Sequence, residues 1–269
     1  MATLKAGKIA VHGATLYYEI RGAGPTLLFI SGAEGDAAEW DKPGAALAED
    51  FTVVSWDRRS FSRSTAPDGF KGVWVDDHAD DAAALLSALA LSPAHVWGNS
   101  SGAIIGLSLV LRHPEVVRTV MLHEPPLFAG MTDVEGVRAF LKQATKQGKA
   151  PFIKMLTGEA YESLPADYRE RLSADRTWIQ YEFDNYENYR PSDQELAKVR
   201  RPVEVLVGTD SPPLFGQAAA WLTGRLGTTV TSIPGGHGAH YANPQDVVQA
   251  IRAFVSRNAI STSASATNC

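Results

Sequence analysis

With 269 residues, 45% of them hydrophobic, the chain can build one large α/β domain with a substantial core, or such a domain carrying an insertion. Its net charge of −5 and lack of any basic run argue against nucleic acid or an anionic membrane surface as a partner. A single cysteine, Cys269, excludes an intrachain disulfide and any metal site built from several cysteines.

The first twenty residues lack the unbroken apolar core of a signal peptide, and no segment reaches the ~18–20 apolar residues that span a bilayer, so a cytoplasmic location is expected. Strand-like runs follow at 15–20 and 26–31. Gly22-Ala23-Gly24-Pro25 between them reads as a hairpin turn, making these strands antiparallel neighbours. The second run ends in Ser31-Gly32-Ala33-Glu34-Gly35, a glycine loop able to turn its backbone N–H groups inward. Next come a helix at 37–48 and a strand at 52–56, closed by Asp57-Arg58-Arg59-Ser60. That tetrapeptide reads as a structural turn with internal ion pairing and receives no chemistry. A helix at 76–89 leads to the central element of the sequence.

There, a short apolar run at 94–97 enters Gly98-Asn99-Ser100-Ser101-Gly102, and a helical segment at 103–112 follows at once. A serine at the apex of a tight strand-to-helix turn has its hydroxyl pushed out at the carboxyl edge of the sheet. The N–H groups after it point at any oxyanion forming nearby, at the positive end of a helix. Side chains two residues before or after it would collide with the neighbouring strand and helix, hence the glycines. Ser100 is therefore the expected nucleophile, and Ser101 N–H one oxyanion donor. A second donor is expected from Gly32 or Ala33.

A strand at 119–123 runs into His123-Glu124-Pro125-Pro126. From 127 to 199 no buried-strand run appears, only helical and polar-aromatic segments that include Trp178, Tyr181, Phe183, Tyr186 and Tyr189. This stretch reads as a helical cap over the strand ends, where an open α/β sheet places its ligand. Trp178, Phe183, Tyr186, Phe128 and His240 are the candidate substrate contacts. Strands at 203–207 and 229–233 and helices at 216–226 and 244–257 complete the alternation. The expected organisation is a core from 1–126 and 200–258, a cap at 127–199, and a disordered tail of small polar residues at 259–269.

A serine hydroxyl needs a base, and seven histidines are available. His237, in Ile233-Pro234-Gly235-Gly236-His237, follows the last strand and shares the sheet edge with Ser100. His240 in the same loop is its competitor, but the glycines let the backbone at His237 approach the site. His95 and His113 read as packed or solvated, His12 and His78 as surface residues. The base needs a carboxylate partner. Asp210, after the strand at 203–207, and Glu124, held by two prolines, both fit the order serine, acid, histidine.

These residues resemble the α/β-hydrolase superfamily over nearly the whole chain, from Tyr17-Tyr18 through the His237–Val255 ending. Within it the chain is most similar to the zearalenone-type lactonases, through VWGNSSGA at 96–103, HEPP at 123–126, VGTDSPPLF at 207–215 and IPGGH at 233–237. The resemblance implies an α/β-hydrolase fold with a mostly parallel sheet, helices on both faces and a helical cap after the family's sixth strand. It also implies Glu124, rather than Asp210, as the acid. The expected activity is acyl-enzyme hydrolysis of an apolar, ring-containing ester or lactone without metal or cofactor. The small-molecule substrate would be the only required partner, with a homodimer left open. The same triad would serve a C–C bond hydrolase or a perhydrolase, and a capped pocket without turnover would serve a ligand receptor.

Overall fold

Continuous apolar runs build the centre of the molecule, because a strand covered on both faces has no solvent side for polar residues. A computed structural model describes residues 3–72, 74–174 and 183–265. Its eight strands are β1 (Lys5–Val11), β2 (Ala14–Arg21), β3 (Thr26–Ile30), β4 (Thr52–Trp56), β5 (Ala94–Asn99), β6 (Val117–His123), β7 (Val203–Gly208) and β8 (Val230–Ile233). They form one sheet in the order β1-β2-β4-β3-β5-β6-β7-β8. From β4 to β8 every pairing is parallel, and only β1–β2 and β2–β4 are antiparallel. β3 and β5 are buried at every residue.

Alternate residues of each central strand enter opposite cores, as the period of two requires. On one face Leu28, Ile30, Val96, Val120 and Val205 pack under α2 (Val75–Ala88), α3 (Ser101–Arg112) and α9 (Pro213–Leu226). On the other, Leu27, Phe29, Trp97, Met121 and Leu206 pack under α1 (Asp41–Leu47) and α11 (Pro244–Ser265). Between β6 and β7 lie α4 (Val134–Ala144), α5 (Lys149–Thr157), α6 (Ala166–Ala174), α7 (Phe183–Asn188) and α8 (Asp193–Leu196). The short α10 (Ala239–Ala242) precedes α11. Among the described residues, no helix is long and apolar enough to cross a membrane.

One expectation is corrected. Residues 22–25 are not a hairpin, because β2 and β3 are not paired and β4 lies between them. The hairpin is β1–β2, turning at His12 and Gly13 with φ of 46° and 78°, where the left-handed backbone suits a two-residue turn. The final helix runs from Pro244 to Ser265, and no proline or glycine interrupts it after Pro244.

Candidate active site

β5 delivers the chain to Ser100 and α3 begins one residue later. Ser100 has φ 56° and ψ −127°, a strained conformation for a non-glycine residue, held by its N–H on His123 O at 2.9 Å and by Ala103 N–H on Ser100 O at 2.9 Å. The flanking glycines leave no room for a side chain. A Cβ on Gly98 would lie 2.3 Å from Gly102 O, and one on Gly102 would lie 2.2 Å from Ile30 O. Both obstacles are backbone and cannot rotate away. Gly102→Ala is therefore expected to cost about 3 kcal/mol or more, seen as a lowered urea midpoint. An unchanged midpoint would show that the turn can open.

β6 ends at His123, and the next residue, Glu124, is fully buried at φ 51°. Its N–H binds Leu206 O at 2.9 Å. Its Oε1 accepts from the Gly208 N–H at 2.8 Å, and its Oε2 meets His237 Nδ1 at 2.6 Å. Burial alone would raise the carboxyl pKa. The His237 hydrogen bond and charge, with smaller contributions from His123 and Ser211, outweigh it and bring the pKa down to about 2. Glu124 is thus an acceptor only, so His237 Nδ1–H donates and Nε2 is left for the substrate side. The imidazole stacks on Phe215 with centroids 4.4 Å apart. Asp210 is exposed; among the described residues its carboxylate meets only Thr209 Oγ1, at 3.3 Å, while its N–H is tied to Gly235 O.

Three buried groups, His95, His123 and Glu124, contribute to a loss of stability in acid. Burial pulls His95 and His123 from 6.5 to about 4, so the unfolded chain takes up these protons first as pH falls. Each group has a depressed folded-state pKa, so its contribution is complete above its unfolded value and is lost on acidification. Stability should fall from pH ~6.5 to 4 through the histidines, and from ~4.5 to 2 through Glu124. The buried carboxyls of Glu34, Glu39 and Asp57 are raised and act in the opposite sense. Urea titrations of wild type and His95→Gln across pH 3–8 therefore test the histidine part, and a difference between them that stays constant from pH 7 to 4 contradicts it.

Ser100, Ser101 and His237 border one cavity of about 150 Å³. Its other walls are Ala33, Pro126, Phe128, Met131, Val137, Phe140, Leu141, Phe152, Leu156, Tyr186, Pro212, Leu214 and Phe215. Of the candidate substrate contacts, Phe128 and Tyr186 line this cavity. Trp178 lies outside the described residues, as does the side chain of Phe183. His240 is corrected: it is 2% exposed and absent from the cavity wall, packing on Trp40 with Nε2 3.3 Å from Glu39 Oε1. The short α10 turns it into the core behind the loop.

Several participants escape a reading of the sequence. The 57–60 segment is more than a turn. Asp57 pairs with Arg63 at 2.6 Å and Arg59 with Asp81, whereas the fully buried Arg58 reaches Gly32 O (2.8 Å), Tyr186 OH (2.9 Å) and His78 Nε2 (2.8 Å). His78 is accordingly buried rather than on the surface. Behind the 31–35 loop, Glu34, Glu39 and His240 bring ligand atoms within 4.8 Å of one another. Burial raises both carboxyls and lowers the imidazole, while Lys149 and Arg58 supply compensating positive charge beside Glu34. Those cations already offset the acids, so no metal role is assigned.

The inserted helices are tied to this same loop. Lys149 Nζ donates to Glu34 O at 2.6 Å, and Arg171 Nε to Asp36 Oδ2 at 2.7 Å. Tyr168 OH meets Tyr241 OH at 2.8 Å, beside the His237 loop.

Known proteins share both the sequence pattern and the fold. Residues 25–244 match the sequence profile described as alpha/beta hydrolase fold. The uncharacterized hydrolase YraK of Bacillus subtilis is 34% identical over 244 residues, spanning 87% of this chain and 90% of that one. Zearalenone hydrolase of Cladophialophora bantiana is 26% identical over 243 residues, spanning 87% and 89%. A solved hydrolase from Pseudomonas aeruginosa superposes with a TM-score of 0.75 at 23% identity, covering 93% of this chain and 98% of that one, a likeness of fold.

Proposed function

The chain belongs to the alpha/beta hydrolase fold family, and from that premise we propose that it is a serine hydrolase of uncharged, apolar carboxylic esters or lactones. His237 Nε2 takes the proton of Ser100 as its Oγ attacks the carbonyl carbon, and Glu124 stabilises the imidazolium. The tetrahedral oxyanion is held by Ser101 N–H and by an N–H of the Gly32–Ala33 loop. His237 then protonates the departing alcohol, and a water attacks the acyl-enzyme with the roles reversed. From a lactone, acid and alcohol leave as one hydroxy acid.

One observation carries the reading: a strained serine and a carboxylate-bound histidine border the same apolar cavity. Among the described residues its lining includes no Asp, Glu, Lys or Arg, so these walls offer a charged acyl group no partner. A ring-containing lactone such as a zearalenone-like macrolactone suits those aromatic walls, and the name of the relative at 26% identity lends support. The test combines fluorophosphonate labelling, mapped by mass spectrometry, with a hydrolysis panel. Labelling at Ser100 and turnover of neutral aromatic esters or resorcylic macrolactones, over carboxylate-bearing esters, is the expected result. An unlabelled protein, or a preference for anionic substrates, would count against it.

A further inference from the structure

The donor that completes the oxyanion hole can be read from what holds its peptide on the far side. The loop after β3 gives up its carbonyls one by one. Gly32 O takes the Arg58 Nη2–H at 2.8 Å and the Gly35 N–H at 3.1 Å. Glu34 O takes Lys149 Nζ at 2.6 Å, and Gly35 O takes the Arg58 N–H at 2.9 Å. In a trans peptide the C=O and the following N–H point in opposite directions. Pinning Gly32 C=O towards Arg58 therefore turns the Ala33 N–H away from it. On that other side is the cavity, which Ala33 borders together with Ser100. The approach is close, since a Cβ on Gly32 would lie 3.0 Å from Ser100 Cβ. Among the described residues, no acceptor takes the Ala33 N–H.

We propose that Arg58 is a positioning residue for the hydrolytic reaction, holding the Gly32–Ala33 peptide from behind so that the Ala33 N–H is the second oxyanion donor. This rests on the serine-hydrolase reading above. The guanidinium suits the task for three reasons. It is fully buried, with its plane fixed over the Phe61 ring, 4.2 Å from the centroid. Its fork lets one terminal nitrogen hold Gly32 O while the other holds Tyr186 OH and His78 Nε2. Its charge, on the carbonyl oxygen, polarises the peptide and strengthens the N–H on the opposite end as a donor. Tyr186 borders the cavity, so a ligand pressing on that ring acts on the same guanidinium that sets the donor. A lysine in its place keeps the charge but cannot bind Gly32 O and Tyr186 OH in one plane.

The test compares wild type, Arg58→Met, Arg58→Lys and Tyr186→Phe on a neutral 4-nitrophenyl ester and its matched thionoester, with melting temperature and circular dichroism as fold controls. N–H donors placed for an oxyanion serve a thiolate-like sulfur poorly, so the ratio of the two rates reports the donor itself. Arg58→Met should lower kcat for the ester by about 100-fold with KM changed less than about threefold, and should shrink the ester-over-thionoester preference. Arg58→Lys should recover part of both. Tyr186→Phe, which leaves the Gly32 contact in place, should keep the preference. An unchanged preference in a folded Arg58→Met protein would overturn the proposal, as would an effect confined to KM. If Arg58→Met does not fold, Arg58→Lys decides instead: a preference below that of wild type supports the proposal, and an unchanged one overturns it. A wild type that hydrolyses neither compound removes the serine-hydrolase reading, a failure distinct from a wild type that is active and an Arg58 series that is flat.

Discussion

Ser100→Ala should reduce kcat by about a million-fold while leaving the protein folded, because it removes the hydroxyl at the apex of the β5–α3 turn that is proposed to form the acyl-enzyme. Alanine shares the strain of serine at φ 56°, and the Ser100 hydroxyl is not what holds the turn. The backbone bonds to His123 and from Ala103 do that. The melting temperature should therefore move little, which separates lost chemistry from lost structure. Initial rates on the best ester of the panel, with fluorophosphonate labelling of the variant, are the measurement. Activity above about one per cent of wild type would remove Ser100 from the role of nucleophile.

Glu124→Gln should lower kcat by about 10⁴-fold, and the reason lies in a hydrogen bond on the far oxygen. Gly208 N–H donates to Oε1. In the amide, the remaining oxygen is drawn to that donor, so the NH₂ faces His237 Nδ1. The imidazole must then accept at Nδ1 and carry its proton on Nε2, the tautomer that cannot receive a proton from Ser100. Asp210→Asn should change kcat less than threefold, since the exposed Asp210 carboxylate has no bond to His237. Parallel kinetics on the two variants decide the matter. A large loss in Asp210→Asn with a small one in Glu124→Gln would exchange their roles.

How much of this is legible in the sequence varies with the range of the interaction. β3 and β5 are plain, because burial on both faces writes an unbroken apolar run. The turn at Ser100 is plain too, since its glycines are local steric requirements. β1 escapes notice: Lys5-Ala6-Gly7-Lys8 lies on an exposed sheet edge, where neither alternation nor an apolar run is required. The glycines at 22 and 24 imitate a hairpin although they carry the chain past β4. Arg58 is illegible for a different reason. A local window around Asp57-Arg58-Arg59 looks solvated, and its burial depends on Tyr186, 128 residues away. The Glu39–His240 pairing spans about two hundred residues and leaves no local trace. Glu124 stands between these cases, since its place after β6 is readable but its preference over Asp210 needs the resemblance.

The ties from Lys149 to Glu34 O, from Arg171 to Asp36 and from Tyr168 to Tyr241 bear on protein engineering. A chimera that transplants another homologue's 127–199 segment onto this scaffold would cut all three. It would leave the Asp36 carboxylate short of one guanidinium and the Glu34 carbonyl without its ammonium donor. Successful grafts should therefore carry 31–36 and 237–241 along with the transplanted helices, as a three-part unit.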